Sequence, residues 1–161
     1  MSDSGLADAV AREAAWLSAS GDGLPALLAS AGGPWDVVQA YMPRTPAQRQ
    51  TQLWVLKKST TTRRFSNHRR VASHTFVVSL WWPIGSTAQS GSISLAETEQ
   101  AAFDAALALV VTRVEGLPGD KSHGGRFLSV AEAPEESAGI RVEMGDPAQG
   151  IPAGALTAQI T

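Results

Sequence analysis

Arg70-Val71-Ala72-Ser73-His74-Thr75-Phe76-Val77-Val78-Ser79-Leu80-Trp81-Trp82-Pro83 is the stretch whose reading decides the fold class. Successive side chains of a strand point to opposite faces. Phe76, Val78, Leu80 and Trp82 therefore share one apolar face, while Ser73, Thr75, Val77, Ser79 and Trp81 share a mixed one. This alternation predicts a long strand with one face against a core. A strand at about 51–58 precedes it, joined through Ser59-Thr60-Thr61-Thr62-Arg63-Arg64-Phe65-Ser66-Asn67-His68. The two predict a long protruding antiparallel β-hairpin over about 51–83.

Working outward, residues 84–92 read as a small polar loop. Ser94-Leu95-Ala96-Glu97 matches a capping box and predicts a helix at about 95–115, which Gly116-Leu117-Pro118-Gly119 stops. Toward the N-terminus, Trp35 to Tyr41 predicts a short strand, followed by an irregular Met42-Pro43-Arg44-Thr45-Pro46. Leu6, Val10, Ala14 and Leu17 recur at helical spacing, and Pro25 suits the first turn of a short second helix, so helices are expected within about 4–31. Three short strands are expected in the last third, at about 126–131, 140–144 and 155–160. This order lacks the strand–helix alternation of a parallel doubly wound sheet. It predicts a single α+β domain over 1–161, a mostly antiparallel sheet with helices packed on one face.

The chain has 161 residues, 43% of them hydrophobic, enough to close one core without staples. The absence of cysteine excludes disulfides and thiolate metal sites. Acids at the N-terminus and the lack of a long apolar run point away from a signal peptide or a membrane span. The net charge of -2 conceals a segregation. Residues 1–36 hold five acids and one base, 37–96 hold eight bases and no acid, and 97–161 hold ten acids and four bases.

Few residues suggest chemistry. Gly116 to Ser122 approaches a phosphate-binding loop, but Asp120 stands where that loop needs glycine, so an anion would be repelled. His123 beside Asp120 falls short of a zinc ligand set and reads as a solvated loop histidine. His68 and His74 are separated by about 20 Å in extended chain and cannot share a metal on one strand. No nucleophile elbow, zinc-binding helix or paired carboxylate is present, so no catalytic residue, cofactor or metal is expected.

The remaining feature is Lys57, Lys58, Arg63, Arg64, Arg69 and Arg70 around the hairpin tip. Three readings are open: a solvated tip that keeps a sheet edge from pairing, contact with nucleic-acid phosphates, or docking on an acidic surface of another subunit, including a second copy.

The layout of N-terminal helix, extended hairpin ending in residues 70–82, helix 95–115 and closing strands that end on Leu156-Thr157-Ala158-Gln159-Ile160 resembles the tail terminator proteins of long-tailed bacteriophages. The resemblance covers most of the chain and is one of arrangement, without a short signature; the loop 84–92 and the proline-rich stretch 42–46 depart from it. It implies a non-enzymatic virion structural protein, made in the host cytoplasm, whose homohexameric ring caps the tail tube and joins it to the neck. Its partners would be itself, the tail tube protein, neck or connector proteins and, transiently, genomic DNA in the channel, with no membrane. A neck, head-completion or minor tail protein is the alternative within that class. A sequence-independent nucleic-acid-binding module is the alternative from another.

Overall fold

The computed structural model describes residues 8–21, 23–45, 50–64, 66–83, 93–116, 120, 122–128, 130, 140–144 and 155–161. Helix α1 is Ala9–Ser18 and α2 is Ile93–Glu115; the strands are β1 Val37–Ala40, β2 Gln52–Arg64, β3 Arg70–Pro83, β4 Val142–Met144 and β5 Ala155–Ile160. The strands form one sheet in the order β1-β2-β3-β5-β4. Every pairing is antiparallel except that of β1 with β2. The architecture is α+β with a mostly antiparallel sheet, as the sequence order predicts.

Thr51 and Asp36 set the parallel pair. The Asp36 N–H donates to Thr51 Oγ1 at 2.9 Å and the Thr51 N–H donates to Asp36 Oδ2 at 3.0 Å. This reciprocal clamp stands one residue before the register Val37↔Gln52, so both strands start from a fixed point. Just upstream, the expected second helix is absent. Residues 25–28 are not helical, and a single 3-10 turn at Ala29–Ala31 ends on Gly32 at φ 93°. The Trp35 N–H donates to Leu27 O and the Ala29 N–H to Trp35 O, which makes a tight reversal. Its gain is burial: Leu27 and Trp35 both sit in the core, at 1% and 0% exposure.

The alternation read from β3 holds. Val78 and Leu80 are buried, and Phe76 and Trp82 pack against the same core. Leu53 and Val55 of β2 and Ala158 and Ile160 of β5 join them, covered by Val10, Ala14 and Leu17 of α1 and Phe103, Ala106 and Val110 of α2. Each buried Val, Leu, Ile or Phe among these contributes about 1.5–3 kcal/mol on burial, and each alanine methyl less. Trp82 meets Trp35 edge-on at 5.5 Å and donates its indole N–H to Glu99 at 3.1 Å, tying β3 to α2.

Three further expectations need correction. Helix α2 begins at Ile93, one residue before the serine expected to start it. Where a strand is expected at 126–131, the described residues 126–128 and 130 are turn and bend, because His123, Gly124 and Gly125 all adopt positive φ and curl the chain back. In β4 the expected apolar side is not covered, since Val142 and Met144 are exposed at the edge of the sheet. The loop expected at 84–92, and the expectations for residues 4–7, lie outside the described residues.

Candidate interaction surface: the basic ribbon

Strands β2 and β3 pair from Gln52↔Trp81 to Arg64↔Arg70. The neighbours stop much earlier: β1 accompanies β2 only as far as Val55, and β5 accompanies β3 only from Val78 to Pro83. Beyond the irregularity between Lys57 and Ser59, six cross-strand pairs run from Ser59↔Thr75 to Arg64↔Arg70 with no third strand among the described residues. At ~3.3 Å per residue that two-stranded ribbon is roughly 20 Å long. All of residues 57–64 and 66–70 are exposed.

The ribbon separates two groups that the sequence reading placed together. Lys57 and Lys58 lie at its base, at the irregularity, while Arg63, Arg64, Arg69 and Arg70 lie at its far end. Arg64 stands directly opposite Arg70, and Arg63 opposite Val71 on the other face. Like charges directly across a strand pair are unfavourable, so the pair is tolerated only because both side chains reach water or a partner. None of the ion pairs among the described residues involves these four arginines. Between base and tip the exposed side chains are hydroxylic: Ser59, Thr60, Thr61, Thr62, Ser73 and Thr75. His74 lies in this stretch with Nδ1 at 3.0 Å from Thr60 Oγ1, apart from His68 at the tip. Phe65 lies outside the described residues.

Elsewhere the structure shows charged groups that sequence reasoning missed. Arg113 of α2 is fully buried, its guanidinium 4.3 Å over the Trp16 ring. It donates to Trp16 O through Nε at 3.1 Å and Nη2 at 2.9 Å, and to Ala19 O at 3.1 Å. In return the Trp16 indole N–H donates to Arg113 O at 2.9 Å. A cation from one helix thus serves the carbonyls at the negative C-terminal end of another. His123 is also fully buried, contrary to the solvated loop histidine expected. Its Nδ1 lies 2.9 Å from Glu13 Oε2 and its Nε2 2.8 Å from Val114 O, with the ring stacked on Trp16 at 4.8 Å. Phe127 meets both His123 and Phe76, which connects this buried cluster to the start of the ribbon.

The phosphate-loop likeness fails on geometry as well as on sequence. Asp120 accepts from the Ser122 hydroxyl and N–H and from the Gly124 N–H, so its own carboxylate fills the concavity an anion would need. These donors, the Ser122 hydroxyl foremost, hold the Asp120 carboxyl below its ordinary value of 3.8. A carboxyl lowered on folding stabilises the loop fully above that ordinary value, and the stabilisation is lost as pH falls through the folded value. The Asp120 carboxyl carbon is therefore expected to titrate below 3.8 in an NMR pH series, and Asp120→Asn to abolish the acid-side melting of this loop. Titration at or above the ordinary value would contradict the arrangement.

On the sheet face away from the helices, a groove of about 390 Å³ is lined by Trp54, Ser79, Trp81, Glu143, Thr157 and Gln159 among others. Its one carboxylate, Glu143, is paired with Arg141 at 2.7 Å. No group of three or more metal-ligating side chains occurs among the described residues, and no described helix is long and apolar enough to cross a membrane. Comparison of the chain with protein-family models, curated proteins and solved structures found no match.

Proposed function

We propose that this chain is a non-enzymatic virion structural protein, a ring-forming subunit that caps the tail tube of a long-tailed bacteriophage and connects it to the neck. The observation that carries the reading is where large apolar side chains remain exposed. Tyr41 and Met42, at 54% and 53% exposure, directly follow β1, and Val142 and Met144, at 38% and 50%, lie on β4. These are the two edges of the sheet, with nothing paired to their outer sides among the described residues. Leu128, in the bend after His123, is more exposed still at 90%. Exposed apolar groups at more than one place, two of them the opposite edges of one sheet, suit a heterologous, head-to-tail contact, and such a contact makes a ring when its rotation closes. The arrangement of α1, the β2–β3 ribbon, α2 and the closing strand β5 is also the layout on which the resemblance to tail terminators rests. A neck, head-completion or minor tail protein would use the same edges and differs in what the ring sits on.

Electron microscopy of purified tail tubes incubated with the protein tests this reading. Added density of six-fold symmetry on one end of the tube is expected. Bare tube ends at saturating protein would sink it. Replacing Val142 and Met144 by glutamate is expected to prevent the ring while leaving the fold intact, because both side chains are exposed.

A further inference from the structure

The edge contact leaves the ribbon unused, and its chemistry is of another kind. From Ser59 to Arg64 and from Arg69 to Thr75 the exposed side chains are arginines and hydroxyls, with no carboxylate anywhere between Asp36 and Glu97. We infer that the tip of this ribbon binds double-helical DNA through its phosphates, independently of sequence.

Three observations favour DNA over an acidic protein surface. A protein interface is organised around apolar or aromatic anchors in its centre. Between Ser59 and Thr75 the sequence holds one large apolar residue, Phe65, beside Val71 and Ala72, against four arginines and seven serines and threonines. Phosphate contacts, by contrast, come from arginine together with serine and threonine hydroxyls, which is the composition found here. Second, the four arginines sit within one turn of chain, on both faces of the tip, since Arg64 and Arg70 share one face and Arg63 points to the other. A charge set facing both ways suits two phosphate walls flanking an inserted ribbon better than one flat surface. Third, two strands ~5 Å apart fit a major groove about 12 Å wide, and the ribbon's roughly 20 Å of free length exceeds the groove's depth of about 8.5 Å. The tip can therefore reach into the groove while the sheet and helices stay clear of the duplex.

The test is fluorescence anisotropy of a labelled 30-base-pair duplex of arbitrary sequence with the full-length protein, at a series of salt concentrations. Micromolar affinity at low salt is expected, with log K falling against log[salt] at a slope of about -3 to -4, as for four phosphate contacts. Changing Arg63, Arg64, Arg69 and Arg70 together to alanine should lower affinity at least ~30-fold and flatten the slope to near zero. Changing the same four to lysine keeps the charge and should hold affinity within about 5-fold. Because all four side chains are exposed, neither variant should move the melting temperature by more than ~2 °C, which separates lost contact from lost fold.

Absence of binding at low salt overturns the inference, as does full affinity in the alanine variant. Tighter binding to a single strand of equal length overturns the duplex assignment. An alanine variant that fails to assemble, with wild-type protein indifferent to DNA, would show that the ribbon's partner is an acidic protein surface. The outcome is independent of the ring: a chain that stays monomeric yet binds DNA through these arginines supports this inference and removes the other.

Discussion

Arg113→Ala is expected to destabilise the protein by about 3–5 kcal/mol, the sum of a cavity and of lost buried hydrogen bonds and the largest effect of any single substitution proposed. The side chain is wholly buried, and its loss leaves Trp16 O with the Ala19 N–H alone and takes from Ala19 O the guanidinium that serves it at the end of α1. It also removes the cation from the Trp16 ring and opens a cavity between the helices. For a chain of this size, ~2–4 °C per kcal/mol translates that loss into a melting temperature lower by on the order of 10 °C. Arg113→Met fills most of the volume without the donors, so it should recover only the packing part. A loss of under ~1 kcal/mol in the alanine variant would show that α1 does not depend on this cap.

The second large effect concerns Glu13 and His123, whose contact joins residues 110 positions apart in the chain. Each group is buried, and removing either leaves the other without its partner in a dry site, at a cost of about 3 kcal/mol. Chemical denaturation of Glu13→Ala, His123→Ala and the double variant should therefore be strongly non-additive, with a coupling of about 1–3 kcal/mol. Additivity within ~0.5 kcal/mol would mean that the pair is held by its surroundings and contributes nothing of its own. Because Phe127 bridges His123 to Phe76, loosening the pair should also increase hydrogen exchange at the base of the ribbon before the sheet opens.

These two clusters show what the sequence reading could and could not reach. The long strand was legible because Phe76, Val78, Leu80 and Trp82 alternate without interruption, and period two has one structural meaning over that length. The position of Arg113 was legible in principle. It falls three residues after Val110 and seven after Ala106, on the buried stripe of α2, where a lone arginine implies a partner. Glu13, three residues after Val10 on α1, carries the same signal. Their partners were not legible, because Trp16 O, Ala19 O and His123 are brought there by tertiary packing. The 3-10 turn replaced an expected helix because the pairing of Leu27 with Trp35 outweighs local propensity. The basic residues were found as a set, but their division into base and tip depends on where β1 and β5 stop, which no local pattern records.

The ring is the claim on which the functional account rests, and the mass of the assembly in solution addresses it most directly. Light scattering on the full-length protein, alone and mixed with purified tail tubes, is expected to give a species of six times the mass of one chain, or a comparable ring collected on the tubes. A single-chain mass at every concentration, unchanged when tubes are present, would contradict it.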